Sequence, residues 1–138
     1  MIPKISIIIR TKNEERWISK CIKAIQNQKF KNFEIVLVDN KSTDKTVEKA
    51  RLCGVKKIIS IENYLPGLAL NKGIKKSSGD FIVCLSAHCI PKNNNWLTEL
   101  LKNFKDEKVA GVYGRQIPME FSKDADKRDL FLVFGLYK

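Results

Sequence analysis

The sequence is short of three things: histidine, of which it has one, cysteines at metal-ligand spacing, and glycine between Arg10 and Glu15. Without a C-x-x-C pair, a structural zinc site is excluded. Cys21, Cys53, Cys84 and Cys89 stand at unrelated spacings with no export signal ahead of them, so they read as reduced thiols, mostly in the core. The missing glycines matter because a dinucleotide fold places G-x-G-x-x-G in the turn after its first strand. No G-x-x-x-x-G-K-[ST] occurs either. Dinucleotide-dependent oxidoreductases and P-loop nucleotide hydrolases are thereby excluded. The longest apolar stretch, Leu130 to Tyr137, is too short to span a bilayer. Met1 leads straight into Pro3 and Lys4, so the expected location is the cytoplasm, or the inner face of the cell membrane.

What is abundant is positive charge. The net charge is +11, which points to anionic partners: phosphorylated ligands, nucleic acid or a membrane surface. Residues 1–69 carry 14 Lys/Arg against 7 acids, and residues 70–138 carry 12 against 8. The excess is diffuse, with no basic run and no aromatic-basic stripe. It reads as a solvated surface, with an anionic ligand as the secondary inference, nucleic acid as no expected partner, and peripheral membrane association as a further one.

Hydrophobic periodicity organises the chain. Ile5 to Ile9 is a β-branched run suited to a strand buried on both faces. Thr11 and Glu14 have capping-box spacing, with Asn13 as an alternative cap, ahead of Trp17, Ile18, Cys21, Ile22 and Ile25 at helical intervals. A second strand spans Phe33 to Val38. Ser42 or Thr43 caps a second helix that stops at Gly54. Lys57 to Ile61 reads as a strand, Leu68 to Lys76 as a helix weakened by Gly73, and Phe81 to Leu85 as a central strand. A helix from Asn95 to Lys105 and a last strand from Val109 to Gln116 follow. This alternation predicts an α/β fold with a doubly wound, mostly parallel sheet flanked by helices. Residues 1–117 form the expected ligand-binding domain. Residues 118–138 turn polar and then end inside the apolar run Leu130 to Phe134, as expected of a truncated chain or of a run that docks on the core.

Polar groups fall at the carboxyl ends of three of these strands: Thr11 and Asn13, Asp39, and Ser86 with His88. In a doubly wound sheet such ends converge on one ligand crevice. Four motifs in order carry a resemblance. Ser6-Ile7-Ile8-Ile9-Arg10-Thr11-Lys12-Asn13-Glu14 resembles a first strand ending P-T-Y-N-E. Ile35 to Thr46 resembles V-D-(D/N)-x-S-x-D-x-T. Gly67 to Ile74 resembles G-x-A-x-N-x-G, and Ser78 to His88 resembles S-G-D-(Y/F)-I…L-D-x-D. The whole chain is similar to the donor half of a family 2 glycosyltransferase with the A-type nucleotide-diphospho-sugar transferase fold.

The resemblance implies roles position by position. Thr11 and Glu14 would line a base and ribose pocket together with Asn13. Asp39 would accept from the N3–H of a pyrimidine, favouring UDP- or dTDP-sugars. Asn71 would lie near the diphosphate, and Asp80 would support the crevice or serve as a turn residue. The resemblance also implies a divalent cation, Mn2+ or Mg2+, and an inverting transfer to a glycan or lipid-linked acceptor in polysaccharide or cell-surface glycan synthesis. The chain departs from the family where D-x-D becomes Ser86-Ala87-His88. His88 is then the candidate metal ligand, since imidazole suits Mn2+-like ions, and Ser86 is a supporting group. Leu70 stands where the family commonly has a basic residue, with Lys72, Lys12 or Arg115 as replacements. No general base is assigned: Glu120, Asp124, Asp126 and Asp129 match no expected motif, and the base is expected beyond residue 138. Two other readings remain: a sugar-phosphate nucleotidyltransferase, which would need a glycine-rich first loop, and a non-catalytic nucleotide- or anion-binding module.

Overall fold

The computed structural model describes residues 2–63 and 65–134. The chain divides into two compact units, residues 1–98 and 99–138. The compositional change at Pro118 falls inside the second unit.

In the first unit the expected alternation is present. Strands β1 (Ile5–Thr11), β2 (Phe33–Asp39), β3 (Lys57–Ser60) and β4 (Phe81–Ser86) form one four-stranded parallel sheet in the order β3-β2-β1-β4. Helices α1 (Ile18–Gln26), α2 (Thr46–Leu52) and α3 (Pro66–Lys75) connect them, and α4 (Trp96–Lys102) follows β4. The β1 run is buried on both faces, as its composition requires: Ile5, Ile7, Ile8 and Ile9 are all within 1% of full burial. Each such side chain contributes about 1.5–3 kcal/mol relative to exposure. On one face Ile8 packs with Val36 and Val38 of β2, Ile61, and Ala69 of α3. Ile7, Ile9 and Leu37 point to the other face and are equally buried. Helix α1 buries the stripe Ile18, Cys21, Ile22 and Ile25, while Lys20 and Lys23 face solvent.

Gly73, expected to weaken α3, is what lets that helix approach the sheet. A Cβ there would lie 2.3 Å from Ile8 Cγ2 and 3.0 Å from Val38 Cγ2. The helix begins two residues earlier than its apolar pattern suggests because Pro66 occupies its first turn, where the missing N–H costs nothing. Gly54, at φ +85°, closes α2 as expected.

Several expectations are corrected. Thr11 to Glu14 does not open a helix. Thr11 pairs with Asp39 as the last β1 residue, Asn13 sits at φ +51°, and α1 starts only at Ile18, with Trp17 and Ile18 amides both donating to Glu14 O at 2.9 Å. Sheet pairing outweighs the local capping preference. Ser42 and Thr43 do not cap α2; the Thr46 amide donates to the Asp44 carboxylate instead. β4 is an edge strand among the described residues, not a central one, which leaves Ile82 and Cys84 exposed. Cys21 alone of the four cysteines is fully buried.

In the second unit α4 ends in a 3-10 turn, Asn103–Lys105, and residues 109–116 are irregular where a strand was expected. A strand exists only through a ladder partner, and Gly111 and Gly114 weaken this run further. Helix α5 (Asp124–Phe134) follows, with Leu132 and Val133 left exposed.

Candidate functional site: the carboxyl edge of the sheet

Parallel pairing sets the strand ends side by side. Thr11 lies opposite Asp39, Asp39 opposite Ser60, and Arg10 opposite Ser86. Two loops and one turn then build the site above that row.

The loop after β2 wraps around Asp39, which is 3% exposed. The Ser42 amide donates to Asp39 Oδ2 at 2.9 Å, and the Ser42 hydroxyl donates to Oδ1. The Asn13 amide donates to Ser42 Oγ at 2.9 Å, so the loop after β1 is tied to the same carboxylate. In return the Thr43 amide donates to Asn13 Oδ1 at 2.8 Å. This exchange requires tight turns in both loops, and both contain a non-glycine residue in the left-handed region, Asn13 and Lys41. Lower in the loop, burial works to raise the Asp44 carboxyl, but the Thr46 hydroxyl and amide and the Glu15 amide outweigh it and hold it below the usual carboxylate range.

Thr11 is 4% exposed, and its hydroxyl has no hydrogen-bond partner among the described residues. A buried polar atom left unpaired costs about 1–3 kcal/mol, so its position beside Asp39 suggests a ligand atom to satisfy it.

The turn after β4 supplies the rest. The Ala87 amide donates to Arg10 O at 3.2 Å and the Cys89 amide to Ser86 O at 2.9 Å, which pins both sides of His88. Ser86 Oγ accepts from Arg10 Nε at 3.0 Å and keeps its own hydroxyl hydrogen for another acceptor. His88 Nδ1 lies 2.7 Å from Glu14 Oε1, with the imidazole 56% and the carboxylate 20% exposed. Beneath this turn, burial, with Cys89 and Glu14 nearby, pushes the Cys21 thiol up to about 12, so it stays protonated and donates to Cys89 O at 3.4 Å.

The structure thus brings Thr11, Asn13, Glu14, Asp39, Ser86 and His88 to one edge of the sheet. Asn71 lies on the exposed side of α3, opposite buried Ala69 and Gly73, and no hydrogen bond among the described residues joins it to this cluster. Asp80 sits at the other end of β4, accepting from the Lys4 amide at 2.8 Å, a turn residue and not part of the crevice. Ser42 and Arg10 reach the same edge; the motif match covers Ser42 without giving it a role, and Arg10 was not singled out. The signal for Ser42 was its place three residues after Asp39, the spacing at which a side chain and a nearby backbone amide meet.

Among the described residues no three His, Cys, Asp or Glu side chains form a metal cage. His88 with Nδ1 held by a carboxylate fits one protein ligand through Nε2, the arrangement in which outer carboxylates orient ligating histidines.

Comparison with known proteins gives the same direction. The profile of glycosyl transferase family 2 matches residues 6–132. A Methanococcus voltae dolichyl N-acetyl-alpha-D-glucosaminyl phosphate 3-beta-D-2,3-diacetamido-2,3-dideoxy-beta-D-glucuronosyltransferase is 39% identical over 80% of this chain, which spans 38% of that protein. A Pyrobaculum calidifontis mannosyltransferase in complex with GDP-Man and Mn2+ superposes with a TM-score of 0.73 at 24% identity, a likeness of fold, over 78% of this chain and 34% of the other. S. aureus TarS 1-349 in complex with UDP-GlcNAc gives 0.63 at 30% identity over 84% and 37%. The sheet, the position of the polar edge and the matched length agree: the chain belongs to glycosyl transferase family 2.

Proposed function

We propose that residues 1–117 form the donor side of a glycosyltransferase that moves a sugar from a nucleotide diphosphate to a glycan or lipid-linked acceptor, with inversion and with a divalent cation. Residues 118–138 would begin the acceptor side. The observation that carries this reading is the buried Thr11 hydroxyl, unpartnered among the described residues, beside the buried Asp39 carboxylate, at the edge where parallel α/β sheets take their ligands. A uracil or thymine base offers an N3–H flanked by carbonyl oxygens. Asp39 accepts the first, and Thr11 donates to one of the second. Guanine would present two parallel donors and ask for both carboxylate oxygens, each of which already accepts from Ser42. A pyrimidine is therefore favoured, although the mannosyltransferase of like fold carries GDP-Man.

The diphosphate would then lie toward Ser86 and His88, where the Ser86 hydroxyl would donate to a phosphate oxygen and His88 would hold the cation. The cation offsets diphosphate charge and stabilises the departing nucleotide. The base that deprotonates the acceptor is not assigned: Asp124, Asp126 and Asp129 lie exposed on α5, with Asp124 and Asp129 beside Lys127 and Arg128. Among the described residues no helix is long and apolar enough to cross a membrane. Association with the inner face of a membrane would rest on the net charge of +11.

The experiment is a UDP titration with and without Mn2+. The expected result is Mn2+-enhanced binding that His88→Ala abolishes, and a loss of about 10- to 100-fold in UDP affinity for Asp39→Asn, as for a hydrogen bond to a charged group. Binding of the parent chain that ignores Mn2+ overturns the metal assignment. An affinity for anionic polymers that collapses with salt while Asp39→Asn changes nothing supports the binding-module reading instead.

A further inference from the structure

The only histidine in the chain is held by a residue 74 positions away, and both partners are anchored before they meet. The Glu14 amide donates to Thr46 Oγ1 at 2.7 Å, and the Glu14 carbonyl accepts from Trp17 and Ile18. His88 sits between two amides, Ala87 and Cys89, that are themselves hydrogen-bonded. A loose surface pair would show neither anchor, and Glu14, at 20% exposure, has little solvent competing for its carboxylate.

We infer that Glu14 is a positioning residue for His88: it holds the imidazole in the tautomer that carries its proton on Nδ1, so that Nε2 keeps its lone pair for the cation. This rests on the reading of His88 as the metal ligand, and it assigns Glu14 to the cation side of the crevice instead of the base and ribose pocket. The chemistry follows from the acceptor. A carboxylate oxygen 2.7 Å from Nδ1 accepts a hydrogen bond from that nitrogen, and a neutral ring with N–H at Nδ1 has its lone pair at Nε2. The carboxylate also fixes the orientation of the ring, as outer carboxylates do for ligating histidines. Without it the ring would rotate in its half-exposed turn and its proton would distribute between the two nitrogens.

The test uses the full chain and two readouts. Because His88 is the sole histidine, long-range proton–nitrogen NMR of the metal-free protein reports its tautomer without assignment. The parent is expected to show the proton on Nδ1, Glu14→Gln to retain it through the amide oxygen, and Glu14→Ala to lose that preference. UDP titrations with and without Mn2+ give the second readout: Glu14→Ala is expected to lower Mn2+-linked affinity about 10- to 100-fold, as outer-sphere substitutions do, and to leave Mn2+-free affinity within about twofold. Glu14→Gln lies between Ala and the parent and controls for folding of the loop. A parent with its proton on Nε2 overturns the inference. So does a Glu14→Ala chain that loses Mn2+-free UDP binding but keeps the Mn2+ enhancement, which is the outcome for a ribose contact. If the parent shows no Mn2+ enhancement, or His88→Ala leaves it intact, the metal reading itself fails. If His88→Ala abolishes it while Glu14→Ala does not, only the role of Glu14 fails.

Discussion

The two ends of the sheet carry similar numbers of polar side chains and treat them in opposite ways. At the amino edge, Ser6 donates to Glu34 Oε1 at 2.7 Å and accepts from the Gly79 amide at 2.8 Å. The Ser78 amide and hydroxyl donate to the same carboxylate oxygen at 2.7 and 2.9 Å, and Lys57 Nζ donates to Oε2 at 2.7 Å. Burial works to raise the Glu34 carboxyl, but these donors from Lys57, Ser6 and Ser78 outweigh it and bring it down to about 2. The network closes on itself. At the carboxyl edge the Thr11 hydroxyl is buried without a partner among the described residues, and His88 keeps one ring nitrogen outside its pair with Glu14. A closed polar cluster adds stability, while an open one keeps capacity for a ligand at some cost to stability. The difference locates function more sharply than residue type does, since serines, acids and lysines occur at both edges.

Substitutions at the two edges should separate stability from binding. Gly79→Ala should have the largest effect: a Cβ there would lie 2.5 Å from the Ser6 amide nitrogen and 2.9 Å from the Ile5 carbonyl carbon, backbone that cannot yield. A loss of about 3 kcal/mol in a denaturant melt is expected, with unchanged UDP affinity in the folded fraction. Unchanged stability would show that the amino edge is not the closed scaffold described.

Acid tests the same edge next. Glu34 lies below its ordinary value in the folded state, so the stability it adds is present above pH 4.5 and is lost as pH falls from 4.5 through about 2. Glu34→Gln should reduce stability by about 2 kcal/mol at neutral pH and flatten the acid slope across that window. A variant whose melts keep the parent's acid slope would assign that slope to other carboxylates.

The smallest expected effect is at the carboxyl edge. Ser42→Ala removes the hydroxyl that orients Asp39 and accepts from the Asn13 amide. It should weaken UDP binding by about 1 kcal/mol, roughly fivefold, with little change in the melt. A larger loss of stability than of affinity would place Ser42 with the scaffold and erase the contrast between the edges.

Much of this was legible before any coordinates. The run Ile5 to Ile9 is β-branched and unbroken, so a strand buried on both faces is nearly its only solution. The stripe from Ile18 to Ile25 has one face to bury, and the order of strands and helices then implies a parallel sheet with a polar carboxyl edge. Thr11, Asn13, Asp39, Ser86 and His88 follow from that reading of the strand ends, and the motif resemblance adds Glu14. Local signals failed where two of them competed. Thr11-x-x-Glu14 has the spacing of a helix cap, yet strand pairing takes Thr11 and the imidazole takes Glu14. Val109 to Gln116 has strand composition but no ladder partner among the described residues.

Composition and spacing, then, set which segments become strands and helices and which edge gathers the polar residues, because these depend on side-chain period and on short-range sterics. They do not set what each polar residue touches. That Glu34 is closed off by Ser6, Ser78 and Lys57, that the Asn13 amide meets Ser42 Oγ, and that Glu14 meets His88 across 74 residues follow from strand register and from glycines that admit close approach. Such contacts join positions far apart in the chain, and only the packed sheet brings them within hydrogen-bonding distance.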